Sequence, residues 1–126
     1  EIRSGECDLG EGAGTVMAQV AAEELGLPYD DMVFAVHDTS IVPFGLGAFA
    51  SRITLMGGAA TRDAAIKARQ KIIAAAAAAF EVRPEEIEKD GKDFFVRSIP
   101  TKKMTLQEVI QSTGEPSLSA MGHFEA

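Results

Sequence analysis

Apolar positions along the chain switch between helical and strand spacing, and each switch marks an element. Ile2 finishes a strand that runs into a glycine-rich stretch. From Thr15, the residues Met17, Val20, Ala21 and Leu25 recur at helical spacing, and Gly26 and Pro28 end that helix. A short apolar strand, Met32 to Val36, follows, and then an irregular loop, "SIVPFGLGAFASR". A second helix is expected from about Leu55 to Phe80, with Ile66, Ile73 and Phe80 on one stripe and alanines 74 to 79 favouring helix. "EKDGKDFFV" reads as a β-hairpin turning at Asp90-Gly91. In "MTLQEVIQSTG", Thr105 is the N-cap with Glu108 three residues on, Met104 and Val109 are spaced for a hydrophobic staple, and Gly114 closes the helix. The order strand, helix, strand, helix, hairpin, helix implies one α+β, α/β-like fold. No repeat and no internal linker interrupts it, so residues 1–126 are expected to form a single segment of one domain.

Composition narrows the function classes. With 46% hydrophobic and 25% charged residues, the chain has the make-up of an ordinary globular protein. Its net charge of −7 argues against a nucleic-acid partner, which would call for clustered Lys and Arg. The single cysteine, Cys7, allows no internal disulfide and no Cys-rich metal site, which suits a reducing, cytoplasmic setting. The longest apolar run, Ile72 to Phe80, is too short to span a bilayer, so no membrane contact is expected. "EIRSG" does not read as a signal peptide, and both ends are abrupt, as in a piece of a longer chain.

Candidate chemistry concentrates in two glycine-rich loops. "GEGAGT" places glycines at 10, 12 and 14, whereas the dinucleotide fingerprint wants the third at position 15, here Thr15. Asp30 and Asp31 stand at a suitable distance for a ribose carboxylate, and no Lys-Ser/Thr follows to make a P-loop. Two readings stay open: a strand-to-helix connection packed through small residues, or a backbone cradle for an anion at a helix N-terminus. A second loop, "PFGLGAFASRIT", again opens onto a helix, and Ser51, Arg52 and Thr54 supply donors there. Arg52 offers a bidentate fork for phosphate, or else an ordinary surface ion pair. Neither His37 nor His123 has a partner at metal-ligand spacing, so no metal site is expected from this chain's own side chains. Cys7 reads as a packing residue, Ser51 has no histidine near it in sequence, and "RPEEIEKD" reads as a solvated turn.

Three stretches together, "DLGEGAGTVMAQVAAEELGLPYDDM", "DTSIVPFGLGAFASRITLMGGAA" and "FEVRPEEIEKDG", resemble the molybdenum-binding large subunit of the xanthine dehydrogenase, or molybdenum hydroxylase, family. The likeness is nearest to its carbon monoxide dehydrogenase and 4-hydroxybenzoyl-CoA reductase branch and covers nearly the whole chain. It implies a molybdopterin cofactor with molybdenum, usually the cytosine dinucleotide form in bacterial members. It also implies that Gly10, Glu11 and Gly12 match the family's Gly-Gln-Gly loop, and that Ala50, Ser51, Arg52, Ile53 and Thr54 match the second cofactor loop. Glu11 departs from the family's glutamine, because an ionised carboxylate cannot donate a hydrogen bond as an amide does. The family's catalytic glutamate falls beyond this stretch; Glu115, in "TGEPSLS", is not its equivalent, and no catalytic residue is expected here.

The implied activity is water-derived hydroxylation of an aromatic heterocycle, aldehyde or CoA-thioester-type substrate, or the reverse dehydroxylation. Its electrons would pass to FAD and [2Fe-2S] centres on partner subunits, and this chain alone would be inactive. The contrasting possibility is a stand-alone small-molecule-binding or interaction domain whose glycine loops are only structural.

Overall fold

A computed structural model describes residues 1–35 and 38–125. The described chain divides into two compact units, one made of Glu1–Ile66 with the residues from Met121 onward, the other of Lys67–Ala120. Each is an α+β arrangement.

In the first unit, β1 (Ile2–Arg3) pairs in parallel with β2 (Phe34–Ala35), and α1 (Ala13–Leu25) connects them. Parallel pairing needs such a crossover, and a helix provides it. The helix begins two residues before Thr15 and ends at Gly26, whose left-handed backbone closes its last turn. Its buried face is Ala13, Met17, Ala18, Ala21 and Ala22, while Val20 and Leu25 are half-buried. The expected strand Met32 to Val36 is described only at Phe34–Ala35; Val36 lies outside the described residues.

After the second glycine loop the chain makes a π-helical turn, Ile53–Gly57, and enters α2 (Gly58–Phe80), within which the boundary between the units falls. The buried side chains of α2 are Thr61, Ala65, Ile72, Ala76 and Ala77, not the expected stripe. Ile66, Ile73 and Phe80 sit one position round and are half-buried. At the other end of the sequence the chain returns to the first unit. Gly122 lies against the Ala60 carbonyl and Ala64, and the His123 backbone N–H donates to Asp63 at 3.0 Å.

The second unit contains an antiparallel meander, β3 (Ile87–Asp90), β4 (Asp93–Val96) and β5 (Ile99–Thr105). The hairpin forms where expected, but Asp90 pairs with Asp93, so the two-residue turn is Gly91-Lys92, one position later. Gly91 supplies the positive φ of 59°. β5 is not among the elements that the sequence predicts. It is an exposed edge strand containing Pro100, Lys102 and Lys103, and its pairing with β4 slips between Phe95 and Val96. Phe94 and Val96 form the buried side of β4.

α3 (Leu106–Ser112) carries the expected capping box: Thr105 Oγ1 accepts from the Glu108 N–H, and Glu108 accepts from the Thr105 N–H at 2.7 Å. Hydrogen bonds from the Thr105 backbone, and then from its hydroxyl, hold the Glu108 carboxyl below its ordinary value of 4.5. A lowered folded-state value means that folding favours the ionised form. Its stabilisation is therefore present above 4.5 and is lost as pH falls through the lowered value. Amide exchange at Glu108, corrected for intrinsic rate, should accelerate on acidification below 4.5, and Glu108→Gln should remove that dependence.

Candidate functional site

The glycine loops meet inside the first unit, and their contact is backbone on backbone. A Cβ at Gly5 would stand 2.2 Å from the Pro43 carbonyl oxygen, and one at Gly45 would stand 2.0 Å from that of Gly5. Only glycine permits this crossing. Beneath it, Ala13 from the first turn of α1 and Ile53 from the start of the π turn share one core cluster with Met17, flanked by Phe34 and Ala48. The sequence thus brings the starts of two helical segments together.

The first loop is held by an acid of its own. The Asp8 carboxylate accepts from Gly10, Gly12 and Gly14 N–H groups at 2.9, 3.3 and 3.0 Å. Those are donors that a cradle for an external anion would have offered, so the negative charge beside the N-terminus of α1 is supplied by the chain itself. The Glu11 carboxylate turns back onto its own loop and accepts from the Leu9 N–H at 2.7 Å. Gly10 and Gly12 have φ of 106° and 83°, and a Cβ there would meet nothing within 4 Å. Their backbone surface is open.

The second loop is strained at the residues singled out from the sequence. Ala50 and Ser51 have φ of 51° and 54°, left-handed values that cost a non-glycine residue about 1 to 3 kcal/mol each. Both are exposed. Arg52 follows with an αR backbone and caps the π turn without any side-chain hydrogen bond to it. Helical first-turn N–H groups lack partners within the helix, and π turns concentrate at functional sites. Thr54 is exposed on this turn, whereas Ile53 is buried in the core cluster.

Arg52 is neither a free fork nor a surface residue. Its Nη1 donates to Glu6 Oε2 at 2.6 Å and to the Gly47 carbonyl at 2.9 Å, and its guanidinium lies 5.6 Å from the centre of the Phe49 ring. The two charged side chains are 14% and 10% exposed, so this is an internal ion pair joining the loops.

Of the other candidates, Cys7 is a half-buried free thiol beside Glu6. Asp30 and Asp31 are exposed in a 3-10 turn, Tyr29–Asp31. His37 lies outside the described residues, and His123 hydrogen-bonds Glu125. Glu115 is exposed after α3, in the second unit. Among the described residues no group of three or more His, Cys, Asp or Glu is placed to hold a metal, and no helix is long and apolar enough to cross a membrane.

Sequence reasoning passed over Glu6 and Asp8. Asp8 had a legible signal, since Asp-x-Gly before a helix is an Asx-turn pattern. Glu6 had none, because its partner is 46 residues away.

The residues present suit an extended ligand that brings its own metal. They offer exposed loop backbone, an uncapped helical start and strained small residues held outward, with no ligating cluster of side chains among the described residues. The sequence model of the molybdopterin cofactor-binding domain matches residues 1–126. The chain is 35% identical over 130 residues to the carbon monoxide dehydrogenase large chain of Afipia carboxidovorans, covering 98% of this chain and 16% of that one. It is 44% identical over 77 residues to the putative xanthine dehydrogenase molybdenum-binding subunit of Escherichia coli K12, covering 60% of this chain and 10% of the relative. Its fold superposes on the crystal structure of the Cu,Mo-CO dehydrogenase in the carbon monoxide reduced state with a TM-score of 0.74 and 36% identity, covering 94% of this chain and 15% of that chain. The chain therefore spans under a fifth of these proteins' length, and it belongs to the molybdopterin cofactor-binding domain family of molybdenum hydroxylase-type oxidoreductases.

Proposed function

We propose that the two loops form one wall of the molybdenum cofactor's site, with Gly10, Glu11 and Gly12 on one side and Ala50, Ser51, Arg52, Ile53 and Thr54 on the other. The observation that carries this reading is the left-handed Ala50–Ser51 pair, exposed directly before an uncapped π turn. Strain of that kind persists where the surroundings enforce it, and it gathers at ligand sites. In this reading the cofactor's phosphates and carbonyls are met by N–H groups and hydroxyls of residues 51–54. The N-terminus of α1, already served by Asp8, does not receive them. Gly10 and Gly12 contribute open backbone against which a flat ring system packs. The Glu11 carboxylate, held by Leu9, is not a donor to the metal centre.

The bound cofactor supplies two-electron redox chemistry at molybdenum, and this chain contributes binding and orientation. We assign the cofactor as the cytosine dinucleotide form. The whole enzyme is read as hydroxylating an aromatic heterocycle, aldehyde or CoA-thioester-type substrate, or running the reverse reaction. Its electrons leave through [2Fe-2S] and FAD centres on partner subunits in the cytoplasm, with the remainder of the molybdenum subunit completing the pocket. Residues 1–126 act as one segment of that cofactor-binding region. The test is molybdenum content together with CMP release by acid hydrolysis, on the full-length protein from molybdenum-replete cells. Molybdenum with stoichiometric CMP is the expected result. Molybdenum without CMP would remove the dinucleotide, and the absence of both would remove the reading.

A further inference from the structure

Glu6 belongs to neither motif, yet its carboxylate makes a charged contact between the two loops, with Arg52. Arg52 Nη1 is shared between Glu6 Oε2 and the Gly47 carbonyl, and Phe49 lies beneath the guanidinium. The attachments at 47, 49 and 52 straddle the left-handed residues Ala50 and Ser51. A segment fixed on both sides of a strained turn cannot relax it without breaking an attachment. Glu6 is itself well fixed: its N–H donates to Ser4 Oγ at 3.1 Å, and its side chain lies beside Gly57, where a Cβ would be 3.0 Å from Glu6 Cγ.

We propose that Glu6, acting through Arg52, is the positioning residue that presets the second loop before any cofactor arrives. The site is then preformed, and Arg52 serves as its brace and not as a phosphate ligand. The proposal rests on the reading that residues 50–54 face the cofactor, but the state of the loop can be tested without it.

Hydrogen exchange by mass spectrometry on the cofactor-free full-length protein reads that state directly. Glu6→Gln keeps the size and removes the charge. Amides in 47–54 should then exchange about tenfold faster, while those of β3–β5 stay unchanged, because exchange reports local opening. Arg52→Lys keeps the charge but loses the planar fork, and should give the same local loss should Glu6→Gln fold poorly. Unchanged protection in both variants would overturn the proposal.

In the cofactor-loaded protein, Glu6→Gln should lower molybdenum occupancy at least several-fold, and Glu6→Asp should restore part of it. Lost protection with wild-type occupancy would also overturn the positioning role. A wild-type protein without molybdenum would instead refute the cofactor reading, and the exchange result on the loop would stand.

Discussion

Gly45→Ala is expected to separate the glycine loops and to lower the stability of the first unit by about 3 kcal/mol, the upper end of overpacking costs. The new methyl would stand 2.0 Å from the Gly5 carbonyl oxygen and 2.2 Å from its carbon. Both obstacles are backbone, so no side chain can swing aside. The strands leading into the loops must move instead, and the Glu6–Arg52 contact moves with them. Thermal unfolding should show a drop of roughly 10 °C for a domain of this size. Gly5→Ala should behave alike, and the double variant should cost less than the sum, because either methyl alone opens the crossing. Gly58→Ala is the control: it is helical and faces open space, so it should be neutral or slightly stabilising. An unfolding temperature for Gly45→Ala equal to the wild-type value would mean that the loops do not touch as described.

Gly122→Ala is expected to have the second large effect, at about 2 to 3 kcal/mol by the same overpacking argument. Its methyl would lie 1.9 Å from the Ala60 carbonyl oxygen and 2.5 Å from the Ala64 nitrogen, in the first two turns of α2. The returning chain would lift away, and the hydrogen bond from the His123 N–H to Asp63 would be lost with it. Exchange of the His123 amide should rise towards its unprotected rate, and limited proteolysis should cut after Met121 sooner than in the wild type. Protection of His123 equal to the wild-type value would refute the contact.

What was legible in the sequence, and what was not, divides by the distance over which each feature is determined. The α3 cap is written in four consecutive residues, Thr105 to Glu108, and it forms as read. α1 was legible because Met17 and Ala21 repeat on one face and Gly26 with Pro28 stops it. The hairpin turn missed by one residue, since Asp-Gly and Gly-Lys are both acceptable turn pairs and the register is decided by Phe94 and Val96 facing inward. β5 was invisible because an exposed edge strand with Pro100 and two lysines has no alternation of its own. In α2, alanines occupy the innermost line, and a run of alanines gives no periodic contrast by which to choose a face.

The site divides the same way. Both loops could be read from their glycines, but the reasons for those glycines differ: Gly5 and Gly45 answer to each other, whereas Gly10 and Gly12 answer to backbone angle and open space. The strain at Ala50 and Ser51 leaves no mark in composition, because alanine and serine are ordinary residues elsewhere. The role of Arg52 was underdetermined until Glu6 appeared opposite it.

The separation of partners along the chain also sets an order in time. In the meander of the second unit, pairing joins Asp90 to Asp93 and Val96 to Ile99, so each hairpin closes only a short loop. The first unit must bring Ile2 to Phe34, Glu6 to Arg52 across 46 positions, and Asp63 to His123 across 60. Doubling a loop costs only about 0.6 kcal/mol of closure entropy, so the stabilities need not differ much. Rates do differ, since local contacts form fastest. During synthesis the meander has all its residues once position 105 has emerged, whereas the first unit still awaits Gly122 and His123. The return of Gly122 and His123 onto the first turns of α2 is therefore among the last contacts of the first unit to form, well after Ala60, Asp63 and Ala64 have left the ribosome.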